Sequence, residues 1–438
     1  MARNPGGRGR QGGEDAGAIT LRSGIHEMLL AAAERGDESL TTGRYIVTYK
    51  EDATDAGLES FRSAGIRTAD ARDFDAQSAT LEDVGDADAF VMPEIGVAVV
   101  TGVGMEALGV AADDSVATDS PIAIVEPEYF AFADDATEYL RGFRAAVDRI
   151  AADLGGREED ADDDELEAEV LGATWGLRAC RVPQSTRSGA GIRLAVLDTG
   201  LDLNHPDFAG RPITAASFVG QPVQDLHGHG THCTGTACGT RTPPGMTPRY
   251  GVAFGGGIFI GKVLSNSGSG SSASVLAGMN WAIANNCHVI SMSLGSQSPV
   301  QAAYTQAGQV ALSRGLLIVA AAGNANGAPT GAPANSPTIM AVASLDPNLA
   351  PSSFSNRGKI EIAAPGRDVF SSWPMPVRYK TISGTSMATP HVAGCAASWA
   401  QTNPLLRGQA LWNRLRATCR PLPFPAARVG KGLVQAAP

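Results

Sequence analysis

Short apolar runs alternate with helical stretches over the second half of the chain. The runs are rich in Val, Ile, Leu and Ala, and Gly, Pro, Asn and Ser mark the turns between them, which is typical of strands buried on both faces. The predicted strands are 192–197, 258–264, 289–293, 317–321 and 339–343, and the predicted helices are 274–284, 300–313 and 387–401. This alternation predicts an α/β fold in which helices cover both faces of a parallel sheet.

A smaller and different pattern precedes this region. The predicted elements are strands at 45–49 and 96–101, helices at 53–64 and 105–112, and a last extended segment at 122–129. Together they predict a small α+β domain over 43–133. Residues 1–42, which begin with Gly and Arg and contain one helical candidate at 25–35, form the predicted N-terminal tail.

The net charge of -11 comes mostly from one segment. Between Asp153 and Glu169 the chain has ten acidic residues and one arginine, and a charge run of this density is typical of a solvated linker. We therefore predict an acidic linker over 134–173, with a helical candidate at 138–154, and a large domain over 174–438. Because the rest of the chain is close to neutral, no basic surface for nucleic acid is expected.

Targeting signals and cysteines give weaker constraints. No apolar segment of about 7 to 15 residues follows the basic N-terminus, so we predict no signal peptide. No apolar run approaches the roughly 18 residues of a membrane span, so no membrane partner is expected. The predicted compartment is the cytoplasm, with secretion as the alternative. The six cysteines are too few for a disulfide scaffold and leave one or two disulfides open.

Four polar side chains stand where an α/β fold collects its chemistry. Asp198 follows a predicted strand, His229 precedes a stretch of small residues, and Ser386 stands near the start of a predicted helix. A serine hydroxyl needs a base, and the base needs a third group to fix its tautomer. The three residues supply these roles for acyl transfer. Asn324, just past another predicted strand, can donate to the developing oxyanion.

Four motifs carry these residues. They are Asp198-Thr-Gly, His229-Gly-Thr-His, Ala322-Gly-Asn and Gly384-Thr-Ser-Met-Ala-Thr-Pro-His. In content and order they resemble the signature segments of the subtilisin family of serine proteases. The Cys that follows the histidine motif and the Thr within the serine motif are similar to the proteinase K branch. The resemblance extends from about Trp175 to the end of the chain.

This resemblance implies a subtilisin-like three-layer fold with a parallel central sheet. It also implies a serine endopeptidase that hydrolyses polypeptides through an acyl-enzyme. Asp198, His229 and Ser386 would form its triad, Asn324 would be the oxyanion donor, and Cys233 would lie beneath the catalytic histidine. The serine motif lacks the second glycine of G-x-S-x-G, which disfavours an esterase of the α/β-hydrolase fold.

Substrate-binding residues are also implied by the resemblance. The family binds its substrate as an added strand between two enzyme segments. The matching positions are Gly268, Ser269 and Gly270 on one side, Ser293, Leu294 and Gly295 on the other, and Ala322, Gly323 and Gly331 around the first specificity pocket. No charged residue stands among them. We expect broad specificity that favours a large apolar or aromatic residue before the cut.

The domain at 43–133 resembles the family's propeptide, which is a small ferredoxin-like inhibitor and folding chaperone. The resemblance implies that its end, 129–133, lies in the active site like a product, and its aromatic residues suit an apolar pocket. We predict a self-processing zymogen that cleaves itself near 130–136 and is trimmed later up to about residue 172. The chain's own propeptide would be its intramolecular inhibitor.

No cofactor is expected to be required, and we predict no metal ligand among the site residues. Asp207 matches a calcium ligand of the family, but the loop after Cys238 lacks the asparagine that completes the family's site, and Ca²⁺ needs six to eight oxygens. A structural calcium ion stays open without a complete ligand set. We expect a monomer. Two alternatives remain, a peptide ligase or cyclase on the same scaffold and an inactive scaffold relative.

Overall fold

The structure, a computed structural model, describes residues 19–35, 40–81, 83–109, 119–133, 172–245 and 247–438. The predicted linker at 134–173 lies outside the described residues except for its last two positions. The helix expected at 138–154 and the acidic run are therefore outside them as well, as is the first part of the predicted tail.

Five strands of the N-terminal region form a sheet with the spatial order β2-β3-β4-β1-β5. They are β1 (Thr41–Tyr49), β2 (Thr68–Asp70), β3 (Ala89–Met92), β4 (Val97–Val100) and β5 (Ile122–Phe132), accompanied by the helices α1 (Ile25–Glu34), α2 (Thr54–Ser63) and α3 (Gly102–Leu108). The pairs are antiparallel except β2 with β3. Without the short edge strand β2, this is the β-α-β-β-α-β order of a ferredoxin-like sheet.

The C-terminal region is built on a seven-stranded parallel sheet. Its strands are β6 (Arg193–Asp198), β7 (Ile213–Ser217), β8 (Gly257–Lys262), β10 (Val289–Met292), β11 (Leu317–Ala321), β12 (Met340–Leu345) and β13 (Ile362–Pro365), in the order β13-β12-β11-β10-β6-β8-β7. The strand β9 (Ser269–Ser271) belongs to the other sheet, and β14 (Val369–Ser372) and β15 (Tyr379–Ile382) form a hairpin. The strands β10 to β13 are buried along their whole length, as apolar runs in a covered parallel sheet require.

Helices cover this sheet. They are α4 (Trp175–Ala179), α5 (His229–Cys238), α6 (Ser272–Ala284), α7 (Ala302–Ser313), α8 (Thr385–Thr402), α9 (Gly408–Ala417) and α10 (Ala426–Val429). The helices α5 and α8 pack together, and α6 and α7 pack together. One pair lies on each face, which makes the three-layer architecture expected from the sequence. Short 3-10 helices span Ala71–Asp73, Asp75–Gln77 and Pro206–Phe208.

The apolar runs predicted the central elements well. All five strands and all three helices expected in the C-terminal region are present, and their ends agree within two residues. The pattern missed the strands β2, β3, β7, β9 and β13, the hairpin, and the helices α4, α9 and α10. Most of these segments are three to five residues long, and several consist largely of Ser, Thr, Gly and Ala, so they carry little apolar signal.

Two glutamates of β5, the buried Glu128 and the half-buried Glu126, are among the contacts between the N-terminal and C-terminal regions. The Glu128 carboxylate pairs with Arg44 Nε at 2.6 Å and accepts a hydrogen bond from Ala273 N, in the first turn of α6, at 3.0 Å. The Glu126 carboxylate accepts from Ala302 N and Ala303 N, at the start of α7, at 3.0 and 2.9 Å. Each carboxylate therefore satisfies free N–H groups at the N-terminus of a helix, where negative charge is favoured.

The helix α1 packs on the outer side of the end of β5. Its residues Met28, Leu29 and Ala32 form a buried cluster with Phe130 and Phe132. The expectation that the aromatic residues of 129–133 fill an enzyme pocket was therefore wrong for Phe130, whereas Phe132 packs against α1 and also lines the pocket beside Ala133. Because side chains alternate along a strand, the smaller neighbours of the rings face the other way, and Ala131 and Ala133 belong to the large buried cluster that contains the C-terminal core and one face of the N-terminal sheet.

Candidate active site

Asp198 is the last residue of β6, a central strand of the parallel sheet. Its side chain is 1% exposed, and its Oδ1 atom accepts hydrogen bonds from Thr199 N at 2.8 Å and from the ring of His229. The turn that follows needs Gly200, which has φ +106°, because a Cβ there would stand 2.0 Å from Val223 O. The carboxylate is thus fixed at the carboxyl end of the sheet, where α/β folds place their chemistry.

His229 is the first residue of α5 and lies beside Asp198. Its Nδ1 atom is 2.7 Å from Asp198 Oδ1, which assigns the Nδ1 proton to this bond and leaves Nε2 as the free nitrogen. Nε2 is buried without a hydrogen-bond partner among the described residues. Burial by itself lowers the pKa of the imidazole, but the Asp198 carboxylate and the Cys233 sulfur outweigh it and hold the pKa well above its ordinary value.

Ser386 is the second residue of α8, so the start of this helix presents its N–H groups around the hydroxyl. The hydroxyl Oγ lies 3.2 Å from Ser293 O and 3.3 Å from Ala133 O. Cys233 Sγ lies 3.9 Å from His229 Nδ1 and 3.6 Å from Ser386 O, which is the position beneath the histidine that the resemblance implied.

Asn324 lies three residues beyond β11, in the wall of a cavity that Ser386 also lines. Its side-chain oxygen accepts hydrogen bonds from the N–H and the hydroxyl of Thr385, both at 2.9 Å. These two bonds fix the amide plane and leave the Nδ2 donors for another acceptor. The same cavity wall contains Asn324, Thr385 and Ser386, so the amide is placed where an oxyanion next to the serine would need a donor.

The end of β5 occupies the space between the two predicted substrate-binding segments. Phe130, Ala131 and Phe132 pair antiparallel with Ser271, Gly270 and Ser269 of β9. Ala133 N also donates to Gly268 O, directly before β9, at 2.9 Å, and on the other side Phe132 exchanges two hydrogen bonds of 3.0 Å with Gly295. The segment is thus a strand inserted between two others, the geometry by which a sheet edge binds an extended peptide.

A pocket opens at the Ala133 end of this strand. Of the residues predicted for substrate binding, five line it, namely Leu294, Gly295, Ala322, Gly323 and Gly331. Its wall also contains Ser296, Gln297, Ala332 and Asn324, which include no charged group. Gly331 is required on this wall because a Cβ there would stand 2.4 Å from Ser296 O.

Known proteins share this arrangement of elements. The model of the Subtilase family matches residues 189–431. An alkaline protease of Alkalihalobacillus alcalophilus is 41% identical over 285 residues, covering 64% of this chain and 72% of that protein. Subtilisin Savinase of Lederbergia lenta is 42% identical over 268 residues, covering 60% of this chain and 96% of the relative. A crystal structure of a cold adapted subtilisin-like serine proteinase matches with a TM-score of 0.53 at 35% identity, covering 61% of this chain and 99% of the other.

The chain belongs to the subtilase family. The family match includes more than half of the chain and contains all four predicted motifs. The resemblance to the subtilisin family is therefore confirmed, and so is the subtilisin-like fold. As a subtilase, the chain is a serine protease that acts on polypeptides.

Sequence reasoning missed a second acidic group behind the subtilase site. Asp225 is fully buried, and its carboxylate accepts hydrogen bonds from Thr199 Oγ1 at 3.0 Å and from Thr231 Oγ1 at 2.7 Å. Three backbone N–H groups, of His227, Gly228 and Thr231, also donate to it. The carboxylate therefore joins the turn after Asp198 to the first turn of α5. Its position close before the histidine motif was the one available signal in the sequence.

The residues around Asp207 do not fit a calcium site. The Asp207 carboxylate accepts hydrogen bonds from the hydroxyls of Tyr250 at 2.5 Å and Tyr379 at 3.1 Å, and Arg378 Nη2 lies 3.7 Å away. These neighbours are donors or a cation, whereas Ca²⁺ requires six to eight oxygen ligands.

All six cysteines are free, and five of them are buried.

Among the residues that the structure describes, no helix has both the length and the apolar character needed to span a bilayer.

Proposed function

We propose that this subtilase is a serine endopeptidase with Ser386 as nucleophile, His229 as general base, Asp198 as the group that orients the base, and Asn324 as an oxyanion donor. The observation that carries the proposal is the 2.7 Å bond between His229 Nδ1 and Asp198 Oδ1. It leaves Nε2 as the proton acceptor on the side of the ring that a serine base requires.

The chemistry follows from these positions. As Ser386 Oγ attacks the carbonyl carbon of the scissile bond, its proton passes to His229 Nε2, and the carbonyl oxygen becomes an oxyanion. Asn324 Nδ2 and the N–H of Ser386 donate to that oxyanion. The imidazolium, stabilised by Asp198, then gives its proton to the leaving amine, and the acyl-enzyme forms. Water then attacks the acyl-enzyme with His229 again as general base, and the bond to Ser386 breaks. This step releases the carboxylic acid product and the free serine. No cofactor is required in this scheme.

The raised pKa of His229 sets the pH dependence of this mechanism. The base must be neutral to accept a proton, so the acid limb of kcat/KM should lie above the ordinary imidazole value of about 6.5. Activity should therefore increase into the alkaline range. The relative from Alkalihalobacillus alcalophilus is an alkaline protease, which supports the same pH dependence for this chain.

We also propose that the N-terminal region, 43–133, is a propeptide and the intramolecular inhibitor of a self-processing zymogen. Residues Phe130 to Ala133 occupy the position of a substrate strand, and Ala133 O is 3.3 Å from Ser386 Oγ. The first cleavage is expected at or just after Ala133, with later trimming toward residue 172. The enzyme released from this monomeric precursor would have broad specificity, with preference for large apolar residues in the uncharged pocket.

Labelling by a fluorophosphonate probe tests the assignment of the nucleophile. Wild type and Ser383→Ala should be labelled and should hydrolyse a denatured protein, whereas Ser386→Ala should do neither. Ser383 is the matched control because it is exposed, stands three residues away, and bonds to Asp368. Equal labelling of wild type and Ser386→Ala would refute the assignment. Cleaved and ligated products, separated by mass, would distinguish hydrolysis from peptide ligation.

A further inference from the structure

A lysine lies buried beside the proposed triad with no role in the mechanism above. Lys262 is the last residue of β8, and its register partner across the sheet is Asp198 at the end of β6. The side chain of Lys262 is 0% exposed. Because a charge taken out of water is destabilising unless it is well paired, a buried ammonium at this point needs an explanation.

The contacts of Lys262 join the segments that hold the two proposed catalytic side chains. Its ammonium donates to the backbone oxygen of Thr199, the residue that follows Asp198. It also donates to Asn266 Oδ1 at 2.8 Å. The same Asn266 oxygen accepts from Leu226 N, in the loop that leads to His229, at 3.4 Å. One ammonium therefore connects the turn after Asp198 with the loop before α5.

Two carboxylates lie close enough to this ammonium to act on its charge. Burial lowers the pKa of Lys262 to about 8, although the charges of Asp225 and Asp198 raise it. Asp225 projects from the loop before α5, and Asp198 from the end of β6. With Lys262 protonated, the two carboxylates and the ammonium together carry one negative charge next to His229. Without it they would carry two.

We propose that Lys262 is a positioning residue for the Asp198–His229 pair. It fixes the turn after Asp198 through the carbonyl of Thr199, and it balances the charge of Asp225 so that His229 faces a single net negative charge. The proposal rests on the proposed function, since it assigns Lys262 a role in the same catalytic pair. A hydrophobic side chain of equal length would fill the space but would provide neither the bonds nor the charge.

The expected effect is on the pH profile as well as on the rate. A positive charge near His229 disfavours its imidazolium form, so removal of the charge should raise the histidine pKa. In Lys262→Met and Lys262→Gln, the acid limb of kcat/KM should move to higher pH by about one unit. We expect kcat to fall at least about tenfold, because displaced catalytic groups are costly, while KM changes little. Lys262→Arg keeps the charge and should keep the acid limb of wild type.

A matched control is available in the same region. Lys359 is partly buried, pairs with Glu361 at 2.8 Å and bonds to backbone oxygens of Ala334 and Ile339. Lys359→Met makes the same chemical change away from the proposed triad and should leave the acid limb unchanged. If the acid limbs of Lys262→Met and Lys262→Gln coincide with those of wild type and Lys359→Met, Lys262 is only structural and the proposal is wrong.

A second measurement needs no change at Lys262. In the Ser386→Ala chain, the imidazole ¹⁵N signals of His229 should respond to pH in two steps, and the smaller step should have a midpoint near 8 as Lys262 loses its proton. A response that lacks this step overturns the proposal even if the neutral variants fail to fold. Absence of fluorophosphonate labelling in wild type would instead count against the proposed function.

Discussion

Strands β10 to β13 of the C-terminal sheet are buried at every position, whereas β5 of the N-terminal sheet mixes buried, half-buried and exposed residues and is continuously buried only from Phe130 to Phe132. The larger sheet is covered by its own helices. The smaller sheet packs one apolar face, with Ile46, Phe90 and Val99, into the same buried cluster as the C-terminal core, and β5 also reaches that region through β9 and its glutamates. The N-terminal sheet and the position of β5 in the cleft therefore depend on contacts with the C-terminal region.

The largest effect on stability is expected when the buried ion pair between Arg44 and Glu128 is broken. The side chains of Arg44 and Glu128 are 1% and 0% exposed, and removal of one partner of a buried pair typically costs about 3 to 5 kcal/mol. In the Ser386→Ala chain, Glu128→Gln should reduce the free energy of unfolding of the N-terminal region by about this amount. The reduction is measured as a lower urea midpoint. Exposed Glu106 is the control, and Glu106→Gln should leave that midpoint unchanged. Equal midpoints for both variants would contradict the comparison of the two regions.

The next largest effect is on turnover, and it should leave the stability of the N-terminal region unchanged. Asn324→Ala removes a proposed oxyanion donor, and in subtilisin one such donor is worth about 10² to 10³ in turnover. We expect a loss of this size in kcat with little change in KM, and no change in the urea midpoint of the N-terminal region. Steady-state kinetics and unfolding curves check both statements. An increase in KM with an unchanged kcat would show that Asn324 binds substrate without stabilising the transition state.

These two regions also differ in how far their sequences predicted them. The apolar runs located the central strands and hence Asp198 at a strand end, and the motifs located His229, Ser386 and Asn324. The sequence did not show that Phe130 and Phe132 turn toward α1, because that choice depends on which face of β5 meets the cleft. Asp225 and Lys262 were missed for a similar reason. Their roles come from contacts between segments that lie far apart in the chain.

A smaller effect is expected for the apolar cap on β5, which consists of the α1 residues Met28, Leu29 and Ala32. Leu29 is buried against Phe130 and Phe132, whereas its neighbour Leu30 is 45% exposed. Leu29→Ala should destabilise the cap by about 2 kcal/mol, and Leu30→Ala should change stability by less than about 0.5 kcal/mol. In the Ser386→Ala chain, hydrogen exchange at the amides of Phe132 and Ala133 should accelerate only in the first variant. Equal exchange in both would mean that α1 does not hold the strand.

The smallest effect concerns pH. Burial raises the pKa of Glu126 even though Ala303 N and Ala302 N donate to it. The folded chain therefore holds this proton more tightly than the unfolded chain, and the associated stability is present below the ordinary carboxyl pKa and is lost as pH increases through the raised value. Glu126→Gln should flatten this decline in urea midpoint with pH. An unchanged pH slope would show that Glu126 is not its source.

The mass of the purified chain tests most directly whether Ser386 acts on the segment that occupies its own cleft. After incubation at neutral to alkaline pH, wild type should be cut at or just after Ala133, and the Ser386→Ala chain should keep its full mass under the same conditions. Addition of a small amount of wild type to Ser386→Ala distinguishes cleavage between molecules from cleavage within one. Wild type that stays intact, or Ser386→Ala that is cut at the same bond on its own, would contradict the account.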